Sequence, residues 1–395
     1  MSDEFYQTDI GLIPIGWEPY RVGELVSFSG GSQPDKGVFK FRPAEGYIRL
    51  IQIRDYKTDK YETYIPTNLA RKFCDKNDVM IGRYGPPIFQ ILRGIEGAYN
   101  VALIKATPSG NLDKDFFYHF IKNENLFSLM DALSRRSSGQ TGVELPALKE
   151  YPLPLPRKKE QTAIANALSD VDALITSIKK LIVKKRAIKT AAMQQLLTGK
   201  KRLPPFDQAH TGYKQTELGE IPEDWEVRAI GEALSIRHGR DQKQVELQDG
   251  AYPILGTGGE MGRTDTFIYD KPSVLIGRKG TINKPVYMDS PFWTVDTLFY
   301  SEVSEKFSAK FIYYKFCMVD WMAYNEASGV PSLNASTIER VLQSFPKDRD
   351  EQVAIAGVLS DMDKEIDTLG QRLNKTQQLK QGMMQELLTG RTRLV

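Results

Sequence analysis

Six apolar residues, Ile164, Leu168, Val171, Ile175, Ile178 and Ile182, follow one another at intervals of four, three, four, three and four. The same intervals separate Ile355, Leu359, Met362, Ile366, Leu369 and Leu373. A 3.5-residue period is the seam of helices that pair side by side, so the chain is predicted to contain two long pairing helices. Each starts after a proline-marked extended segment, Pro152–Pro156 or Pro346, and each ends at LLTG. There Gly199 or Gly390 supplies the left-handed residue that commonly follows a helix. About 38 residues at about 1.5 Å each give a helix of roughly 55 Å. Paired antiparallel, two such helices form a rod with approximate two-fold symmetry and a globular body at each end.

Outside the seams the pattern shortens. YIRLIQI (Tyr47–Ile53), ALIKA (Ala102–Ala106), SVLIG (Ser273–Gly277) and TLFY (Thr297–Tyr300) are β-rich runs separated by Gly, Pro, Asn and Asp. Helical stretches follow late in each body, around Asp115–Ala132 and Lys306–Ala323. The expected fold class is α+β: two mixed α/β bodies separated by two long helices that pair as an antiparallel coiled coil. The boundaries are a first body over 1–156, a helix over 157–199, a linker over 200–215, a second body over 216–346 and a second helix over 347–395.

The chain is written twice. TDIGLIPIGWEPYRVGE (Thr8–Glu24) returns as TELGEIPEDWEVRAIGE (Thr216–Glu232), and EQTAIANALSDVDALI (Glu160–Ile175) returns as EQVAIAGVLSDMDKEI (Glu351–Ile366). MQQLLTGKKRL (Met193–Leu203) returns as MQELLTGRTRL (Met384–Leu394), and IGRYG (Ile81–Gly85) is echoed by IGRKG (Ile276–Gly280). Between Glu160–Leu203 and its copy, 20 of 44 positions are identical, in residues too varied for compositional bias. A repeated frame around bodies of different content suits two equivalent docking surfaces carrying two different recognition surfaces.

Composition narrows the chemistry. Hydrophobic residues at 41% and charged residues at 26% are those of an ordinary globular protein. The start, MSDEFYQTDI, lacks the basic and apolar run of a secretory signal, and no stretch is long enough to span a bilayer. A soluble, cytoplasmic protein is expected. Cys74 and Cys317 read as buried free thiols, and with His119, His210 and His238 they give no metal-ligand spacing. The net charge of +3 is unevenly spread: residues 157–202 carry twelve basic and three acidic residues, whereas residues 1–156 balance at nineteen each. That basic stretch can face DNA phosphates, an acidic partner or only solvent.

Catalytic motifs are missing. GPPI (Gly85–Ile88) and LPPF (Leu203–Phe206) lack the polar first residue with which an adenine methyltransferase holds its target base. GTGGEMG (Gly256–Gly262) is followed by no P-loop lysine and reads as a turn between strands. No Glu-x-Lys pair of a metal-dependent nuclease is present. The chain is expected to catalyse nothing and to contain no metal.

The frame GEIPEDWE (Gly219–Glu226), the two EQ-x-A-I-A helix starts and the two LLTG-[KR]-x-R-L ends resemble the specificity subunits of type I restriction-modification systems. The resemblance runs over nearly the whole chain in the order body, helix, body, helix. It implies that each body is a target-recognition domain reading half of a gapped DNA sequence, while the paired helices set the gap. It also implies double-stranded DNA, two modification (methyltransferase) subunits and restriction (translocase-nuclease) subunits as partners. S-adenosylmethionine, ATP and magnesium then belong to those partners, and this chain holds no cofactor. A coiled-coil scaffold that assembles proteins without reading DNA is the alternative.

Base readout favours Arg, Lys, Asn and Gln on loops that can enter the major groove. In the first body these are Gln33 and Lys36 in GGSQPDKG, Arg83 and Tyr84 at a glycine-flanked turn, and Gln140 in SSGQTG. In the second they are Arg237, Arg240, Lys243, Arg278 and Lys279. Arg83 and Arg278 occupy matching places, which points to a shared role on phosphate or in holding a turn. Trp17 and Trp225 also match and read as core anchors.

Overall fold

The computed structural model describes residues 5–136, 142–208 and 212–394. It divides into two compact units, Met1–Ile178 with Arg372–Val395, and Lys179–Gln371. Each long helix therefore gives one half to each unit. Both helices contain 39 residues, Lys158–Leu196 and Arg349–Leu387. They end as the LLTG pattern requires, with Gly199 at φ +74° and Gly390 at φ +69°. No helix among the described residues is long and apolar enough to cross a membrane.

The first body opens with a hairpin, Phe5–Thr8 against Gly11–Pro14. Strand Glu18–Arg21 then pairs antiparallel with Pro152–Leu155, tying the start of the body to its end. Between them lies a four-stranded antiparallel sheet in the order Val26–Gly30, Leu103–Pro108, Val79–Gly82, Gln90–Leu92. Val79, Ile81, Ile104 and Ala106 face Phe116, Phe117 and Phe120 on one side. Met80 and Leu103 face Ile51 and Tyr99 on the other. A sheet covered on both faces needs no polar face on its inner strands, and Val79–Gly82 is buried at all four residues. The covering layer is a second sheet of Tyr64–Pro66, Tyr47–Ile51, Gly97–Tyr99 and Phe73–Cys74.

The second body repeats this plan. Trp225–Ala229 pairs with Leu342–Pro346, and the central sheet runs Leu234–Arg237, Leu298–Val303, Ser273–Gly277, Val286–Met288. Val274, Ile276 and Phe299 pack on Phe311 and Phe316, while Leu275, Leu298 and Tyr300 pack on Phe292. The covering sheet has three strands, Gly259–Thr264, Tyr252–Gly256 and Trp293–Thr294. GTGGEMG is the turn of its hairpin and the start of the returning strand.

Three local expectations change. The stretch Asp115–Ala132 is two helices, Lys114–Phe120 and Glu124–Arg136, because the Asn123 carboxamide accepts from Asn125 N and starts a new helix. The stretch Lys306–Ala323 holds a shorter helix, Ala309–Met318, whose start is set by the Ser308 cap. Cys317 is exposed rather than buried, since it lies in the last turn on a side away from the buried Phe316, whereas Cys74 is buried.

The repeated residues build one joint twice. In the first unit Trp17 Nε1 donates to Glu160 Oε2 at 3.1 Å, and Arg393 grips the same carboxylate at 2.6 and 2.9 Å. In the second unit Trp225 Nε1 donates to Glu351 Oε2 at 3.2 Å, and Arg202 grips it at 2.8 and 2.7 Å. Both tryptophans are buried core residues. A Cβ on Gly390 would stand 2.3 Å from Pro14 and 3.0 Å from Trp17; one on Gly199 would stand 2.4 Å from Pro222. The end of one long helix thus closes on the body at the start of the other. The glutamine of each EQ pair completes the joint: Gln161 Nε2 donates to Pro156 O and its Oε1 accepts from Asp113 N, while Gln352 bonds Pro346 O and Ser308 N in the same way.

Within each unit the helix halves run antiparallel. In the first, Glu160 meets Arg393 and Asp172 meets Lys380 at 2.6 Å; in the second, Lys185 meets Glu365 at 2.7 Å and Lys189 bonds Asp363. Ile164, Leu168, Ile175, Ile178, Ile182, Ile355, Leu359 and Ile366 are buried, and Val171, Met362, Leu369 and Leu373 are half-buried. Lys189 and Lys380 lie seven residues beyond Ile182 and Leu373, so a lysine takes a seam position in each half. Such a polar seam residue fixes register at some cost in stability. Asp363 also accepts from Tyr314 Oη at 2.8 Å, tying the second body to the seam. At the matching place His119 bonds Ser169 Oγ at 3.0 Å, and burial pushes its imidazole down to about 4, so it is neutral at pH 7.

Candidate nucleic-acid interface

Strand register gathers the loops of the first body at one sheet edge. Gly30 pairs with Ile104 and Gly82 with Leu103, so the two strands flanking Leu103–Pro108 finish beside its start. The loops that follow them leave together. Gly31 N donates to Leu103 O at 2.9 Å, Ser32 N to Tyr99 O at 3.1 Å and Arg83 N to Ala102 O at 2.8 Å. A Cβ on Gly31 would lie 1.9 Å from Asn100 O, so only glycine allows this approach.

The second body makes the same edge from matching residues. Arg237 pairs with Tyr300 and Gly277 with Leu298. Arg240 N donates to Thr294 O and Arg278 N to Thr297 O, both at 2.8 Å. A Cβ on Gly239 would lie 2.0 Å from Val295 O. A third segment reaches each edge: Val143 N donates to Arg83 O at 3.2 Å, and Leu333 N donates to Arg278 O at 2.9 Å. The frame of the edge is shared, and the side chains it presents are not.

On the first edge, Lys36 is exposed at the start of a short turn capped by Asp35, whose Oδ1 accepts from Gly37 N at 2.7 Å. Gln33 is half-buried. Arg83 is exposed, with its guanidinium 5.2 Å from the centre of the half-buried Tyr84 ring. Gly142 approaches that ring, with a built Cβ at 3.6 Å; Gln140 lies outside the described residues.

On the second edge Arg240, Lys243 and Lys279 are exposed. Lys243 has Asp241 3.9 Å away. Arg237 is held by Glu302, Nε to Oε2 at 2.8 Å, and that carboxylate raises its already high pKa. Arg278 donates from Nη1 to Asp296 O at 3.2 Å, so part of its side chain supports the turn. Arg83 and Arg278 therefore share a backbone role and differ in what their side chains do.

One residue at this edge was missed. Val330, in ASGVPS (Ala327–Ser332), occupies the place that Gln140 holds in SSGQTG and is 66% exposed. The shared Ser-Gly marks the correspondence in sequence, and an apolar valine lies outside the polar residue types that read base edges. Along the first helix, four of the twelve basic residues are used internally: Lys158, Lys185, Lys189 and Arg202 pair with Asp113, Glu365, Asp363 and Glu351. Lys179, Lys180, Lys184 and Arg186 are exposed and remain as a cationic run.

Two bodies on one repeated frame, each offering differently furnished loops at a sheet edge and joined to long paired helices, define a duplicated recognition protein. The chain belongs to the family of the type I restriction modification DNA specificity domain, which it matches twice, over residues 14–185 and 222–378. It is 23% identical over 429 residues to the type I restriction enzyme MjaVIII specificity subunit of Methanocaldococcus jannaschii, covering 100% of this chain and 97% of that protein. The MjaIX specificity subunit of the same organism is 26% identical over 257 residues, 62% of this chain and 57% of that one. Among solved structures, the type-I restriction-modification system S subunit from M. genitalium shares the fold, with a TM-score of 0.63 at 17% identity over 98% of this chain and 99% of that one. The resemblance read from the repeated frame is therefore correct, and the chain is a non-catalytic specificity subunit.

Proposed function

We propose that this chain reads a gapped, two-part DNA sequence, one half-site per body, and presents it to adenine-methyltransferase and translocase-nuclease subunits. The observation that carries this reading is the doubled sheet edge. Gly31 and Gly239 fix the same loop departure, Arg83 and Arg278 fix the same turn, and different side chains stand on each. Lys36, Arg83, Arg240, Lys243 and Lys279 are exposed, where they can meet phosphates or guanine edges. Gln33 and Tyr84 are half-buried beside them, Arg237 and Arg278 must first loosen their own contacts, and Gln140 belongs to the same set by its place in the sequence.

Docking of two equal modification subunits is supported by exposed aliphatics at equivalent helix positions, Ile188 at 44% and Leu379 at 57%. S-adenosylmethionine, ATP and magnesium act in those partners, in the cytoplasm. The run Lys179, Lys180, Lys184 and Arg186 is available to DNA phosphates or to an acidic partner surface.

The test is a genome-wide adenine-methylation map of cells with and without this chain, in the presence of its modification subunit. A new gapped, asymmetric motif is expected. A stable complex that adds no motif would turn the reading toward a pure assembly scaffold.

The paired helices should act as the ruler. Four residues inserted after Ile178 and again after Leu369 add about 6 Å to each helix. The gap in the methylated motif should then grow by roughly one or two base pairs at about 3.4 Å each. A motif with both half-sites intact and its gap unchanged is the result that sinks the ruler.

A further inference from the structure

The loop that carries Val330 is pinned along most of its length. Asn325 Oδ1 accepts from Ala327 N at 3.1 Å and from Ser332 N at 2.9 Å, and its Nδ2 donates to Ala327 O at 2.8 Å. Glu326 N donates to Ser332 O at 3.1 Å, and Gly280 N donates to Pro331 O at 2.8 Å. Leu333 N closes the loop on Arg278 O, and Lys279 bridges Ser332. A loop so fixed does not sway its tip in and out of the core. Yet its tip is a valine, 66% exposed, with a β-branched side chain that has few rotamers. Beside it stand Arg278 and the exposed Lys279, on the edge built for the loops of the second body.

An aliphatic group held in water on a loop bonded to the backbone of Arg278 and Lys279 suits a ligand that is anionic around an apolar spot. Duplex DNA offers that combination: among the groups displayed in the major groove, only the C5-methyl of thymine is apolar, and phosphates flank it. We infer that Val330 reads a thymine methyl group in the half-site of the second body, with Lys279 and Arg278 on the neighbouring phosphates or bases. The inference rests on the DNA-reading function proposed above and names one of its specificity-determining contacts. The first body has Gln140 at the matching place in the sequence, so the two half-sites are expected to differ there.

The test uses the chain in complex with its modification subunit. Duplexes of the mapped target are prepared with each thymine in turn replaced by deoxyuridine, which removes only the methyl group. The unaltered complex should lose affinity roughly tenfold at one position of one half-site, the cost of a single lost base contact. Val330→Ala should bind weakly to begin with and show little further loss at that position. Val330→Asn, mapped in cells, should change the base at that position and leave the other half-site and the gap as they were. Because the side chain is exposed, both variants should melt with the unaltered protein.

Three outcomes overturn the inference: deoxyuridine tolerated everywhere, half-sites without thymine, or lower methylation of an unchanged motif. The last would place Val330 against the modification subunit instead. If the unaltered chain directs no gapped motif at all, it is the underlying DNA-reading function that fails, which the methylation map detects first.

Discussion

Glu351→Ala should destabilise the second unit by about 3 kcal/mol, the low end of the cost of breaking a buried ion pair from one side. Glu351 is 1% exposed and the Arg202 side chain 4%, so the substitution leaves a buried guanidinium facing apolar surroundings. The bonds from Glu351 hold that guanidinium firmly protonated. Trp225 Nε1 also loses its acceptor. Asp224 keeps one grip on Arg202 at 2.8 Å, which is why the loss falls at the low end. The matching change, Glu160→Ala, should cost less, about 1–2 kcal/mol. Its partner Arg393 is 33% exposed and can turn to water. Scanning calorimetry of the two variants decides the point. Equal losses would mean that burial of the arginine does not set the cost.

Lys315 should make stability depend on pH in an unusual direction. It is 4% exposed, and its Nζ donates to Leu197 O at 2.8 Å and Ser344 Oγ at 3.1 Å, with Phe311 and Phe345 around it. Burial pulls its pKa down from 10.5 to about 7. The bond to a carbonyl beyond the last turn of the first long helix, where the helix dipole favours a cation, opposes that pull. Between about pH 7 and 10.5 the unfolded chain holds a proton that the folded chain has released. The unfolded state binds more protons there, so stability rises with pH across that window and is lowest below it. Lys315→Met should remove this slope. The difference in unfolding free energy between the two proteins should move by about 1–3 kcal/mol between pH 6.5 and 9.5, in favour of the lysine form at high pH. Denaturant midpoints at those two pH values provide the measurement. A constant difference would show that Lys315 stays charged in the fold.

Much of this protein was legible in its sequence because its signals are periodic and doubled. The spacing from Ile164 to Ile182 and from Ile355 to Leu373 depends only on helical geometry, which local sequence controls. Gly199 and Gly390 announced the helix ends for the same local reason. The repeat by itself marks Trp17 and Trp225 as equivalent core anchors. The split of Asp115–Ala132 at Asn123 was missed, because a cap inside an apolar stretch competes with the helical period and wins only by its own hydrogen bond.

What the sequence by itself determined is the plan: two bodies on one frame, two seams, two equivalent helix ends and no catalytic motif. What only the tertiary structure decided is which residues, distant along the chain, meet. It brought Arg393 to Glu160 and Arg202 to Glu351, turning four matched positions into two joints. It tied the exposed Arg237 to Glu302, although Arg237, Arg240 and Lys279 all read alike as surface cations. It also set Val330 on a rigid loop beside Arg278, where residue type alone gave no hint of a role. The physical reason is one of range. Periodicity and caps act over a few residues and are encoded where they act. Ion pairs, burial and strand register join residues far apart in sequence, so they come into being only when the chain folds.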